Sequence, residues 1–132
     1  LYVGDDLLKR TWKRGTYIKA GCQLLRWQNM VQANGVTHFV AVIAPDKLTA
    51  YAPYLKNESL RNLSSIEELE SVPGLRIVNL LGPIRRAIAS GEKDIYLPND
   101  THWGAAGQQI ASDAVVDHLK KFGVFVELRH DK

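Results

Sequence analysis

After its first residue, the run His38-Phe39-Val40-Ala41-Val42-Ile43-Ala44 is apolar without alternation. A strand with one wet face alternates polar and apolar side chains, whereas a strand covered on both faces does not. Thr37 to Ala44 therefore reads as a strand of a parallel sheet with helices on both sides. Leu75 to Leu81 and the short stretch Asp94 to Leu97 read as further strands. Leu1-Tyr2-Val3-Gly4 suits a strand entering a turn, and Val124-Phe125-Val126-Glu127-Leu128 suits one more strand.

Between these runs the spacing turns helical. Ile18, Cys22 and Leu25, then Leu24, Trp27, Met30 and Val31, recur at three- and four-residue steps. They predict an amphipathic helix from Thr16 to Asn34, stopped by Asn34-Gly35, with Cys22 and Trp27 in the core. Ser65-Ile66-Glu67-Glu68 has the form of a capping box, opening a short helix towards Ser71. Gly82-Pro83 starts another helix, which Gly91 closes. Ala106, Ile110, Ala114, Val115, Leu119 and Phe122 outline one face of a last helix, Ala105 to Phe122. Strands alternating with helices give an α/β fold, a mostly parallel sheet flanked by helices. The 132 residues suit a single domain, 1–132, with one core.

With 45% hydrophobic and 23% charged residues the composition is that of an ordinary globular domain. The net charge of +3 is small, and apart from Lys9-Arg10 and Lys13-Arg14 the basic residues are scattered. No nucleic-acid partner is expected. No apolar run approaches the roughly 18 residues of a membrane span. The chain opens at Leu1 without an initiator Met and reads as a processed protein or an excerpt from a longer one, so a missing export signal carries no weight.

Chemistry gathers in Leu97-Pro98-Asn99-Asp100-Thr101-His102-Trp103-Gly104. A carboxylate beside an imidazole fixes its tautomer and stabilises the imidazolium formed when the ring takes a proton. Asp100 and His102 thus have the form of a catalytic pair. The same residues also suit a helix start, with Asp100 or Thr101 as N-cap and His102 in the first turn. Pro45-Asp46-Lys47 follows the first strand at its carboxyl end, where open α/β sheets bind ligands, so Lys47 is a candidate substrate-binding residue; an exposed salt pair in a turn is the alternative. A metal site built from Asp100, His102 and His38, His118 or His130 matches no ligand spacing. Gly104-Ala105-Ala106-Gly107 lacks both the Walker lysine and the dinucleotide glycine pattern. No metal or other cofactor is expected.

Asp100-Thr101-His102-Trp103, followed by Gly104 and Gly107, resembles the signature of the SGNH hydrolase-like domain of the alginate O-acetylation proteins, the AlgJ and AlgX group, and of the related DHHW proteins. Val42-Ile43-Ala44-Pro45-Asp46-Lys47, with Tyr51 and Pro53, is similar to that family's block of strand, proline, basic residue and tyrosine-proline. Leu1-Tyr2-Val3-Gly4-Asp5 is similar to its opening segment. The resemblance implies an SGNH or flavodoxin-like fold, with this chain as part of it. It implies that Asp100 orients His102 and that His102 activates a serine. Trp103 is a candidate substrate-binding residue as an apolar wall of the site; packing against the helix is the alternative.

The serine itself has no match. Ser59, Ser64, Ser65, Ser71, Ser90 and Ser112 lack the strand, glycine and aspartate that precede the family's nucleophile, and in Gly4-Asp5-Asp6-Leu7 its place is taken by Asp6. That stretch reads as an acidic turn. The resemblance implies a carbohydrate O-acetyltransferase or acetylesterase of exopolysaccharide modification, periplasmic or secreted, whose nucleophile lies outside these residues. Its partners would be a polysaccharide, an acetyl donor and membrane-bound acetylation machinery. The alternative is a non-catalytic polysaccharide-binding or scaffold module, with Trp12, Trp27, Trp103, Tyr51 and Tyr54 facing a glycan.

Overall fold

Two short parallel strands and four α-helices organise the computed structural model, which describes residues 4–62 and 64–123. A 3-10 helix, Gly4–Thr11, leads into α1, Arg14–Gln32. β1, Ala41–Ile43, is followed by α2, Lys47–Tyr51, and by 3-10 segments Ala52–Tyr54, Glu58–Leu60 and Ile66–Ser71. Then come β2, Ile77–Asn79, α3, Leu81–Ala89, and α4, Ala105–Lys121. β1 and β2 pair in parallel, Ala41 with Ile77, Val42 with Val78 and Ile43 with Asn79. This mixed arrangement is compatible with the α/β class. The strands expected at Leu1-Tyr2-Val3 and from Val124 to Leu128 lie outside the described residues.

Both paired strands are shorter than their apolar runs. The ladder closes where the Leu80 N–H bonds the Ile43 carbonyl at 3.0 Å. Immediately afterwards the Asn79 side chain accepts the Leu81 N–H at 3.0 Å, so Leu80 and Leu81 turn into α3 instead of extending β2. The expectation of cover on both faces fails at Val42, which is 44% exposed. The long helix α1 packs chiefly on the Ile66–Ser71 segment and leaves that face open.

The face that α1 buries also differs from the expected stripe. Tyr17, Gly21 and Gln28 are buried, while Trp27, Met30 and Cys22 are exposed. Gln28 explains the rotation. Its amide donates to the Gly74 carbonyl at 2.8 Å and accepts the Arg76 N–H at 2.7 Å, satisfying backbone groups just before β2. At Gly21 the Val72 side chain occupies the space a Cβ would need. Asn34 ends the helix region as expected: its side chain accepts the Val36 and Thr37 N–H groups, beside Gly35 at φ +74°. The capping box does not form. Ser65 makes no side-chain cap bond, the segment is 3-10, and the Glu68 carboxylate pairs with Arg14 at 2.8 Å.

Leu80, Ile84 and Ile95 are fully buried at the centre of a cluster with Ala50, Val78, Tyr96 and Ala111. Each such side chain contributes about 1.5–3 kcal/mol of transfer free energy. A second cluster joins Tyr17, Ile66, Leu69 and Leu81. The first cluster ties α3 and α4 to β2, and it carries the segment that follows.

Candidate active site

The expected strand from Asp94 to Leu97 is not part of the sheet. Asp94 has φ +60°, which breaks an extended run, and Tyr96 forms only an isolated antiparallel bridge with Trp103. The segment is instead a closed loop. Leu97 N–H donates to the His102 carbonyl at 3.0 Å, and Gly104 N–H to the Ile95 carbonyl at 3.1 Å. Inside it, Asp100 N–H donates to the Leu97 carbonyl at 3.3 Å, a turn with Pro98 at the position its fixed φ favours.

This loop brings Asp100 and His102 together. Asp100 Oδ1 lies 2.6 Å from His102 Nδ1, and it also accepts the backbone N–H groups of Thr101 at 2.6 Å and His102 at 3.2 Å. An ionised carboxylate only accepts, so Nδ1 carries the proton and Nε2 presents the lone pair. The His102 side-chain bond, followed by the His102 N–H, holds the Asp100 carboxyl below its usual value. The imidazole itself is 81% exposed. Beside it an open depression of about 360 Å³ is lined by Thr101, His102, Trp103 and Gln108. Trp103 packs against the central cluster and also lines this depression.

The helix-start reading of Asp100 and Thr101 does not hold. α4 begins at Ala105 with Gly104 as N-cap, and the first N–H is capped by Asp94, which accepts it at 2.9 Å. Asp100 is thereby left to His102.

Lys47 sits directly beneath the loop. Its Nζ donates to the carbonyls of Leu97 at 2.6 Å, Pro98 at 3.1 Å and Asp100 at 2.9 Å. It does not pair with Asp46 as a turn salt bridge would. Asp46 caps α2, accepting the Thr49 N–H and hydroxyl at 2.9 Å each, and forms an ion pair with Lys9. Burial works to raise the Asp46 carboxyl, but the Lys9 ammonium and the Thr49 groups outweigh it and hold the value down. Tyr96 completes the support: its hydroxyl donates to the Pro45 carbonyl at 2.7 Å in a buried bond. Lys9, Thr49 and Tyr96 were not singled out from the sequence. Lys9 lies 37 positions from Asp46, and no local pattern announces such a pairing.

The remaining candidates fall elsewhere. His38 Nδ1 lies 3.3 Å from Arg76, and His118 stacks on Phe122 at 4.6 Å. His130 is outside the described residues. Among the described residues no group of three or more His, Cys, Asp or Glu side chains could hold a metal ion. The hydroxyls of Ser59, Ser71 and Ser90 bond within their own turns, to Asn57, Glu68 and Ala87, and Ser64 lies 3.4 Å from Tyr17. Asp6 falls in the Gly4–Thr11 helix rather than in a turn. Among the described residues no helix is long and apolar enough to cross a membrane.

No protein-family model matches the chain, and no solved structure matches it. The chain is similar to the "Probable alginate O-acetylase AlgJ" of Azotobacter vinelandii, 24% identical over 128 residues. The match covers 93% of this chain and 32% of that protein, so the chain spans about a third of the length of the curated relative. The likeness weakly supports a relation to alginate O-acetylation proteins.

Proposed function

We propose that this chain carries the Asp-His half of a serine-dependent carbohydrate O-acetyltransferase or acetylesterase, within a single SGNH-like domain of a periplasmic or secreted protein. One observation carries the reading: Asp100 and His102 bonded at 2.6 Å through Nδ1, with the ring open to a depression. The nucleophile is a serine hydroxyl not among these residues.

In this mechanism Nε2 of His102 takes the serine proton as Oγ attacks the acetyl carbonyl carbon. The tetrahedral intermediate collapses, and the leaving alkoxide of the donor recovers that proton from Nε2. A sugar hydroxyl, or water, then gives its proton to Nε2 and attacks the acyl-serine, and the serine leaves reprotonated. Asp100 stabilises the imidazolium in each half. Trp103 offers an apolar wall beside the ring. The partners are an acetylated donor, a polysaccharide acceptor and membrane-bound machinery that supplies acetyl groups.

The test uses the longest natural protein containing this chain, with hydrolysis of an aryl acetate and acetyl transfer to an alginate oligosaccharide as readouts. His102→Ala is expected to lower both by about 10³-fold or more. Equal rates in the two proteins overturn the enzyme reading. Oligosaccharide binding without turnover would instead favour a glycan-binding module, the reading that the exposed Trp12, Trp27 and Tyr54 support.

A further inference from the structure

Pro45, Asp46 and Lys47, which lead out of β1, are stitched to the Asp100 loop at two places. One is the Tyr96 bond to the Pro45 carbonyl. The other is the Lys47 ammonium on the carbonyls of Leu97, Pro98 and Asp100. An ammonium has three donors and no acceptor, so these three oxygens use all of them. Carbonyl dipoles aimed at one point repel unless a cation sits there. The Asp100 carbonyl is the last of the three, and its own side chain is the one that meets His102.

We infer that Lys47 is a positioning residue: by gathering the carbonyls of Leu97, Pro98 and Asp100 around its ammonium, it fixes the backbone from which Asp100 reaches His102. The inference rests on the reading of that pair as the working unit of the site. Lys47 is itself placed by the cap of α2, where Asp46 holds Thr49 and both are held by Lys9, whose Nζ lies 2.7 Å from Thr49 Oγ1. A line of polar support thus runs from the Gly4–Thr11 helix through α2 to the imidazole. It gives Lys47 a task other than touching substrate.

The test is a double-mutant cycle read by ¹³C NMR of the Asp100 carboxyl during pH titration of the longest natural protein containing this chain. In the unaltered chain the carboxyl titrates below 3.8 because His102 is bonded to it. Lys47→Met keeps the apolar stem and removes the donors, so the titration is expected to rise towards 3.8. In the His102→Ala background, where there is no ring to position, Lys47→Met is expected to move it much less. Lys47→Gln repeats the cycle if the methionine variant does not fold.

An equal shift in both backgrounds would mean that Lys47 acts only as a nearby charge, and it overturns the inference. So does no shift at all. In either case the proposed chemistry stands on its own assay. A Lys47-dependent shift in a parent protein without acetyl transfer would leave the positioning role intact and remove the proposed function. An Asp100 that titrates normally in the unaltered chain would overturn both.

Discussion

The Asp94 carboxylate accepts the backbone N–H of Ala105 at 2.9 Å and so caps α4 from eleven residues upstream. Gly104, the formal N-cap, has no side chain to do this. Asp94 adopts φ +60° to reach, a conformation Asp tolerates better than most residues. Asp94→Ala loses both the cap and that tolerance, and it is expected to cost about 1–2 kcal/mol in urea unfolding. Asp94→Asn keeps an acceptor and the tolerance, and less than half of that loss is expected. Equal losses would show that the charge, not the cap, is what matters.

Close approach at the same helix gives a second expectation. A Cβ on Gly107 would stand inside van der Waals contact of the Ile95 carbonyl and close to Trp103, and backbone cannot yield as a side-chain tip can. Gly107→Ala is therefore expected to destabilise by about 1–3 kcal/mol, although alanine is intrinsically the better helix former. Gly15 in α1 has nothing within 4 Å of its would-be Cβ. There Gly15→Ala is expected to stabilise, by about 0.5–1 kcal/mol. Thermal midpoints of the two variants should move in opposite directions. Near-ultraviolet circular dichroism should change only for Gly107→Ala, through Trp103.

Burial pushes the Tyr96 hydroxyl up to about 12 from 10.0, with its bond to Trp103 opposing and Asp46 and Tyr51 assisting. An acid whose folded value is raised stabilises the fold fully below its unfolded value and loses that contribution as pH rises through the folded one. The Tyr96 contribution is therefore complete below pH 10.0 and disappears by about pH 12. Tyr96→Phe is expected to cost about 1–2 kcal/mol at neutral pH, since the buried Pro45 carbonyl loses its donor. The variant should also show a shallower fall in the urea midpoint across the alkaline window. An unchanged alkaline slope would refute the assignment.

The residues that were legible in the sequence are those whose signals are local. Asp100 and His102 are two apart, and a proline turn makes them converge. The Asn34-Gly35 stop follows from turn chemistry, and Ala106, Ile110, Ala114 and Val115 of the expected α4 face pack on the central cluster, whereas Phe122 is 46% exposed. What was not legible depends on distant partners. Gln28 rotates α1 because backbone groups before β2 need it, and Leu80 and Leu81 leave the strand because Asn79 caps α3. Nothing near Lys9 indicates that its ammonium enters the α2 cap. The capping of α4 by Asp94 removes the helix-start reading of Asp100 and Thr101, a choice that the local sequence left open.

If Asp100 and His102 act as a unit, their losses cannot multiply. Asp100→Asn in the longest natural protein is expected to lower acetyl transfer by about 10³–10⁴-fold, the drop seen when a triad loses its orienting carboxylate. The KM should change little, because the carboxylate faces the ring and not the depression. His102→Ala alone should cost at least as much, and the double variant no more than His102→Ala alone. The pH dependence follows from the lowered Asp100 value. A carboxylate with a depressed folded value keeps its interaction above 3.8 and loses it only as pH falls through the lower folded value, so acidification towards pH 3.8 leaves the pair's carboxylate charged. Any fall in rate above that pH must come from a group other than Asp100. Rates measured for the four proteins across that range check both points, and a double variant slower than His102→Ala by the full Asp100→Asn factor would show two residues acting separately.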